Sequence, residues 1–192
     1  TIALAELLAP LSQYSLIRWD GENQRYGVHR LVQSVVRDGI DENVRTNWVI
    51  RSLKVLSASY LGSEFRYWTY YAALLPHWLQ VRHYAGQHNV RIKALGYICS
   101  QAGFYLFDQG RYESVESLYI EALKISQEIL GEKHSSIATN LSNLALLYID
   151  QGRYEAAESL CIEALEMTRE LVGKKHLSVA ISLNNLAGLY DH

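Results

Sequence analysis

Apolar residues recur at spacings of three and four along most of the chain, which is the pattern of amphipathic α-helices. The clearest stripe consists of Leu141, Leu144, Ala145, Leu147 and Tyr148. A second stripe follows it and contains Tyr154, Ala157, Leu160, Cys161, Ala164, Leu165 and Met167. Gly152 and Gly173 follow the two stripes, and glycine often ends a helix because it tolerates a left-handed conformation. The pattern predicts two helices joined by a short turn.

The predicted helix pair repeats along the chain with an offset of 42 residues. The hexapeptide Asp108–Glu113 recurs as Asp150–Glu155, and residues 108–134 align with residues 150–176 without a gap, at 17 identities in 27 positions. A fixed period of this length is typical of repeat architectures. One helix pair cannot bury its own apolar face, so neighbouring pairs are expected to stack into a solenoid.

The repeated positions resemble the tetratricopeptide repeat, because small, aromatic and glycine residues match its pattern together. The period of 42 and the connectors Gly131–His134 and Gly173–His176 are similar to those of the kinesin light chain subtype. The resemblance implies repeats at residues 95–136 and 137–178, with the first helix of a third repeat at 179–192. It implies a mainly all-α fold, a tetratricopeptide-repeat α-solenoid that leaves a concave groove.

A different organisation is predicted for the first part of the chain. Residues 2–13 have an apolar helical pattern, and residues 14–19 and 25–29 have the pattern of short strands. Residues 20–23 between them are turn formers, so the two strands are predicted to form a small β-hairpin. A further helix is predicted to begin within residues 31–36. Helix, hairpin and helix in this order are typical of the tail of a winged-helix fold.

The winged-helix pattern assigns residues 1–40 to the C-terminal part of a winged-helix domain, and residues 41–94 to a helical linker region. The first linker helix carries an apolar stripe of Val49, Leu53, Leu56 and Tyr60. In the second, the side chains predicted to face inward are those of Phe65, Trp68, Tyr71, Leu74 and Leu75.

Three short motifs, Tyr14–Ile17, Val28–Gln33 and Leu74–His77, resemble those of bacterial NB-ARC (STAND-type) signalling ATPases that carry tetratricopeptide sensors. The resemblance implies that the chain, which begins at Thr1, is a piece of a longer protein with a nucleotide-binding domain upstream. In that family the histidine that matches His29 contacts the phosphate of bound ADP. Binding of ADP or ATP is therefore expected only through the upstream domain. The alternative is that His29 satisfies local backbone groups.

The candidate ligand-binding residues are polar positions that recur at one place in successive repeats. Asn143 and Asn185 share such a place, off the apolar packing stripe, and Gln101 stands at the equivalent position of the first repeat. In the repeat family this position faces the concave groove, where a carboxamide can both donate to and accept from a peptide backbone. Asp108 and Asp150 are expected near the edge of the same groove. The alternative interpretation is a solvated polar face.

Composition and charge favour a peptide or protein partner over nucleic acid or a membrane. The net charge is −2, with +4 in residues 1–94 and −6 in residues 95–192, and an acidic repeat region favours basic or neutral partners. The alternative function is a DNA-binding transcriptional regulator, because winged helices often bind DNA. This alternative is disfavoured because residues 1–14 contain no Lys or Arg, and the predicted hairpin contains only Arg18 and Arg25.

No catalytic or metal-binding pattern is present in the sequence. The connectors Gly131–His134 and Gly173–His176 lack the second glycine of a phosphate loop and follow helices, so they are interpreted as helix-capping segments. The histidines lack the spacing of zinc ligands. Cys99 and Cys161 are expected to be buried thiols of a reducing compartment. The sequence predicts a cytoplasmic interaction module in signal transduction, with no enzymatic activity and no cofactor of its own.

Overall fold

The computed structural model describes residues 17–20, 22, 25–28, 33, 38–62 and 64–190 of the 192-residue chain. The chain divides into two compact units, Thr1–Arg45 and Thr46–His192, and each is considered by itself. The described strands belong to the first unit, and most of the described helical residues belong to the second. The fold is mainly α-helical.

Two short strands pair in the first unit. Strand β1 spans Ile17–Asp20 and strand β2 spans Arg25–Val28, and all four residues of β1 pair with those of β2 in antiparallel register. Asp20 belongs to β1 rather than to the predicted turn, and its carboxylate accepts a hydrogen bond from the backbone N–H of Glu22 at 3.2 Å. The helix predicted at residues 2–13 lies outside the described residues, so the winged-helix interpretation stays a prediction.

Helices occupy most of the remaining described residues. They are α1 (Glu42–Ser57), α2 (Trp68–Gln87), α3 (Lys93–Asp108), α4 (Val115–Leu130), α5 (Ser135–Asp150), α6 (Tyr154–Val172) and α7 (Leu177–Tyr190). Short 3-10 turns at Phe65–Tyr67 and Tyr112–Ser114 precede α2 and α4. Helices α3, α5 and α7 begin 42 residues apart. The period of the sequence is therefore the period of the helix pairs α3–α4 and α5–α6.

A glycine builds the turn within each helix pair. Gly110 follows α3 with a φ of 68°, and Gly152 follows α5 with a φ of 72°. Residues with a side chain avoid this left-handed region, and glycine does not. The backbone N–H of Arg153 donates back to the carbonyl of Tyr148 at 2.8 Å, which satisfies one of the last carbonyls of α5. The predicted end of the helix at Gly152 is confirmed.

The connector histidines start the helices that follow them. His134 is the N-cap of α5, and its Nδ1 accepts a hydrogen bond from the backbone N–H of Ser136 at 3.1 Å. His176 accepts from the N–H of Ser178 in the same way, at 3.2 Å, before α7. A side-chain acceptor at this position satisfies an otherwise unpaired backbone donor of the first turn. The predicted capping role of the connectors is confirmed.

The core lies between successive helices of the second unit. Its largest fully buried side chains are Trp78, Tyr119, Leu53, Ile98, Leu118, Ile125, Ile137, Leu141, Leu147 and Val115. Burying each such side chain stabilises the fold by about 1.5–3 kcal/mol. Small residues such as Ala122, Ala145 and Ala157 are fully buried as well, and they let neighbouring helices approach closely. Cys99 and Cys161 are buried free thiols, as predicted.

The prediction that Phe65 faces inward is wrong. Its side chain is 75% exposed, whereas that of Tyr71 is buried. Phe65 lies in the 3-10 turn before α2, where the 3.6-residue period of an α-helix does not hold. Its ring rests against Trp68, with ring centres 4.5 Å apart. Tyr60 lies beyond the end of α1, and its ring stacks on that of Tyr71.

Candidate functional site

The first helix of each repeat keeps one face away from the core. Half-buried or exposed residues one helical turn apart define this face. They are Tyr97, Gln101 and Phe104 on α3, Thr139, Asn143 and Leu146 on α5, and Ile181, Asn185 and Gly188 on α7. Helix α5 contacts both α3 and α7, so the three sets lie next to one another. We call this surface the groove face.

The predicted residues Asn143 and Asn185 come together on the groove face. Both line one pocket of about 340 Å³ between α5 and α7, which we call the second pocket. Gln101 lines a pocket of about 180 Å³ between α3 and α5, which we call the first pocket. Ser135 and Thr139 line both pockets, so the two are adjacent. The three predicted amides therefore border one continuous depression.

The two pockets differ in chemistry. The first pocket combines the apolar residues Ile125 and Leu130 with polar groups, which come from Lys93, Tyr97, Ser100, Gln101, Ser126, Ser135, Ser136, Thr139 and Asn140. The second pocket places aliphatic side chains beside its two amides, and these are Ala138, Leu146, Leu171, Val172 and Ile181. A ligand that crosses both pockets would meet polar groups in each, and a larger apolar surface in the second.

The predicted edge residues Asp108 and Asp150 stand at the C-terminal ends of α3 and α5, and neither lines the two pockets. Asp150 accepts a hydrogen bond from the Tyr112 hydroxyl at 3.1 Å, and this bond raises the pKa of Tyr112. Burial raises the pKa of the Asp108 carboxyl. The structure does not bring the two carboxylates together with the three amides.

Tyr97, Thr139 and Asn140 are among the pocket residues that were not predicted from the sequence. Tyr97 and Thr139 stand one helical turn before Gln101 and Asn143, so a spacing of four from each predicted amide would have identified them. Asn140 is 2% exposed on the core side of α5. The sequence could have identified Asn140, because it is an amide at a position of the buried stripe.

Tyr97 connects the first pocket to a cluster of aromatic rings. Its ring contacts that of Tyr60 edge to face, with centres 6.1 Å apart, and Tyr60 stacks on Tyr71 at 5.2 Å. Burial, with a smaller effect of Tyr71, raises the pKa of Tyr60 to about 12. Burial also raises the pKa of Tyr97. Both hydroxyls therefore stay neutral at physiological pH and can donate hydrogen bonds.

His29, predicted to sense nucleotide in a longer protein, lies outside the described residues. In the described part of the chain, no group of three or more His, Cys, Asp or Glu side chains could hold a metal ion. None of the helices described there has the length and apolar character needed to cross a membrane.

Comparisons with known proteins agree with the repeat architecture. Residues 96–159 and 136–192 match the family described as Tetratricopeptide repeat, and residues 2–45 match the Domain of unknown function (DUF7779). The fold resembles the crystal structure of BtubC (BKLC) from P. vanneervenii, with a TM-score of 0.60 and 17% sequence identity, over 97% of this chain and 70% of that chain. At this identity the likeness shows the fold alone. No curated protein matches the chain.

Proposed function

This chain belongs to the tetratricopeptide repeat family, and from that premise we propose that it is a protein–protein interaction module that binds a peptide or protein in its groove. The ligand lies on the groove face, across α3, α5 and α7. Gln101, Asn143 and Asn185 form hydrogen bonds to its backbone, and the two pockets receive its side chains. The chain acts by binding alone and catalyses no reaction.

One observation carries this proposal: three carboxamides recur at one helical position and border two adjacent pockets. A carboxamide both donates and accepts, so it can pair with a peptide group whatever the neighbouring side chain is. Side chains of an extended peptide alternate between its two faces, so every second one can enter a pocket. Backbone hydrogen bonds then supply affinity, and the pockets supply the preference for particular side chains.

A peptide selected from a phage-displayed random library provides the probe for this proposal. Its affinity is measured by fluorescence polarisation for the wild-type chain and for Asn143→Ala/Asn185→Ala. Each lost hydrogen bond is expected to cost about 0.5–1.5 kcal/mol, so the double variant should bind about 5- to 150-fold more weakly. Asn184→Ala is the matched control, because Asn184 is exposed on the same helix and lines neither pocket. Equal affinity of wild type and double variant, with helical circular dichroism retained, rejects the groove assignment.

We propose further that the chain is the ligand-sensing arm of a signal-transduction NTPase of the NB-ARC (STAND) type, located in the cytoplasm. Residues 1–40 would form part of its winged helix, residues 41–94 a helical linker, and residues 95–192 the sensor. The match at residues 2–45 and the compact unit Thr1–Arg45 support a separate domain before the repeats. Ligand capture by the repeats would shift such a protein between a closed and an open state.

The signalling proposal assigns His29 to the phosphate of ADP in the full-length protein. Full-length wild type and His29→Ala are purified under identical conditions, and the bound nucleotide is released by acid and quantified by chromatography. Wild type should retain ADP, and His29→Ala should retain much less. Arg37→Ala, in the same segment but outside the matching motif, should retain as much ADP as wild type. Equal ADP content in wild type and His29→Ala contradicts the assignment.

A further inference from the structure

Aliphatic side chains from three helices line the second pocket and remain partly uncovered. Ile181 on α7 is 55% exposed, and Leu171 and Val172 at the end of α6 are 41% and 42% exposed. Leu146 on α5 is half-buried and lines the same pocket. Covering such side chains with an apolar group is favourable in proportion to the area removed from water. The second pocket therefore offers binding energy to an apolar ligand group.

Three hydroxyl groups of the second pocket are already used within the protein. Those of Thr139, Thr168 and Ser182 donate to the backbone carbonyl four residues earlier, at 3.0, 2.7 and 3.1 Å. A hydroxyl has one proton, so these three cannot donate to a ligand. Among the described residues that line the pocket, none has a charged side chain. A charged ligand group would lose its water there without gaining a partner of opposite charge.

The second pocket is the repeat equivalent of the first, and it is the larger of the two. Its volume is about 340 Å³, against about 180 Å³ for the first. With the offset of 42 residues, Thr139 takes the position of Tyr97, and Ser135 takes that of Lys93. On the next helix, Ile181 takes the position that Thr139 has in the first pocket. The second pocket therefore has room for a larger side chain and a more apolar wall on α7.

Two amides of the groove face stand on different helices of this pocket. Asn143 belongs to α5 and Asn185 to α7, and both line it. A peptide whose backbone bonds to both amides must cross the mouth of the pocket between them. Side chains of an extended peptide point alternately to its two faces, so one side chain of the crossing segment is directed into the pocket.

We propose that the second pocket binds a large apolar side chain, such as that of leucine, methionine or phenylalanine, from the peptide on the groove face. This inference rests on the proposed peptide-binding function and names the class of residue recognised at one position. Asn143 and Asn185 hold the peptide backbone, and Leu171, Val172 and Ile181 cover the apolar side chain. Burial of that side chain adds affinity and selects against charged residues at this position.

The test compares peptides selected from a phage-displayed random library by the whole chain and by two pocket variants. Ile181→Asp places a carboxylate in the apolar wall, at a residue that is more than half exposed. Thr139→Tyr installs the residue that the first pocket has at the equivalent position, and its ring should fill the second pocket. Leu183→Asp is the matched control, because Leu183 is an exposed aliphatic residue of α7 that lines neither pocket. Thermal unfolding followed by circular dichroism shows which variants fold.

Wild type should select peptides with a large apolar residue at one fixed position. Changing that peptide residue to alanine should weaken binding by about tenfold or more. Ile181→Asp should lose the apolar preference, whereas Leu183→Asp should keep it. If Ile181→Asp does not fold, Thr139→Tyr replaces it in the comparison and should favour smaller residues at that position. The proposal is overturned if wild type shows no apolar preference, if the preference persists in the folded pocket variant, or if folded Leu183→Asp loses it equally.

A further variant separates this proposal from the peptide-binding function on which it rests. If Asn143→Ala/Asn185→Ala binds the selected peptides as strongly as wild type, the groove itself is refuted, and the pocket assignment is overturned with it. If that variant binds weakly while the pocket variants keep the apolar preference, only the pocket assignment is overturned. Weak binding by the double variant, together with loss of the apolar preference in the pocket variant, supports both.

Discussion

Tyr148 on α5 donates a hydrogen bond from its hydroxyl to Glu116 on α4 at 2.7 Å, and Tyr190 on α7 donates in the same way to Glu158 on α6. Donors and acceptors are both offset by 42 residues, so the bond belongs to the repeat. It joins the first helix of one repeat to the second helix of the preceding one. Arg153 adds to the first of these links, because its guanidinium lies 3.1 Å from Glu116 and 3.6 Å from the centre of the Tyr148 ring. These links connect helices that carry the groove face to the second helix of the preceding repeat.

The link predicts a specific dependence of stability on pH. The hydrogen bond from Tyr148, followed by the interaction with Arg153, holds the pKa of Glu116 below its usual value of 4.5. Since the folded pKa lies below the unfolded one, ionised Glu116 stabilises the fold above pH 4.5, and this stabilisation is lost as the pH falls through the folded value. Glu116→Gln should lower the free energy of unfolding by about 1 kcal/mol at pH 7, because the pair is partly exposed.

Urea unfolding followed by circular dichroism over a series of pH values checks this expectation. Glu116→Gln should lose less stability than wild type on acidification below pH 4.5. Glu163→Gln, an exposed position on α6, is the control and should follow wild type at every pH. Parallel curves for Glu116→Gln and wild type would refute the role of the link.

The close approach of α3 and α4 at Gly103 predicts a size-dependent coupling. A Cβ at Gly103 would lie 2.7 Å from the ring of Tyr119, which is 1% exposed. In the next repeat the corresponding pair is Ala145 and Cys161, so a larger residue on one helix faces a smaller one on the other. Gly103→Ala should destabilise the fold by up to about 2 kcal/mol, after allowing for about 1 kcal/mol of gained helix propensity.

Thermal and urea unfolding measure this coupling in a double-mutant cycle. In a Tyr119→Leu background, Gly103→Ala should be neutral or stabilising, because the ring that it meets is gone. Gly86→Ala is the control, since nothing lies within 4 Å of a Cβ there, and it should not destabilise. A destabilisation by Gly103→Ala that is the same in both backgrounds would show that Tyr119 is not the cause.

Capping by the connector histidine predicts a local loss of helix stability. His134→Ala removes the acceptor for the Ser136 N–H and should cost about 1 kcal/mol. His134→Asn keeps a side-chain acceptor of similar reach and should retain most of the stability. Hydrogen exchange of the first-turn amides of α5 reports the effect directly. Faster exchange in His134→Asn than in His134→Ala would contradict the capping role.

The two thiols are expected to be unreactive in the folded chain. Burial, followed by Glu121, raises the pKa of Cys99 to about 12, and burial raises the pKa of Cys161. Because the thiolate is the reactive form, alkylation by iodoacetamide at pH 8 should be much slower than for a cysteine peptide. Mass spectrometry should show both sites alkylated in 6 M guanidinium and neither after brief native treatment. Rapid native labelling would show that the core opens at these positions.

The repeats are predictable from the sequence because each local signal agrees with the others. The 42-residue period gives the helix pairs, Gly152 gives the turn, and the histidine of each connector gives the next start. The amides on the groove face follow from the same period, because residues offset by one repeat occupy equivalent faces. In the repeats, the local sequence signals and the stacked helix pairs of the solenoid therefore agree, as is usual for solenoid proteins.

Other features depend on contacts that the 42-residue period does not predict. The exposure of Phe65 follows from a 3-10 turn that a helical pattern does not distinguish from a first helical turn. The hydrogen bonding of Asn140 depends on Ser126, which lies on the preceding helix. The match of Gly103 to Tyr119 arises only when α3 and α4 are packed together. The first pocket is lined by residues of α3, α4 and α5, so its chemistry depends on how these helices pack and could not be derived from the spacing of residues.

The most direct test of the central claim is a titration of nitrogen-15-labelled protein with a library-selected peptide, observed at the side-chain NH2 resonances of asparagine and glutamine by NMR. The account predicts saturable shifts for Gln101, Asn143 and Asn185, and no shift for Asn184 or for Gln127, which is exposed on α4. Saturable shifts of Asn184 and Gln127 with the three groove amides unchanged would contradict it.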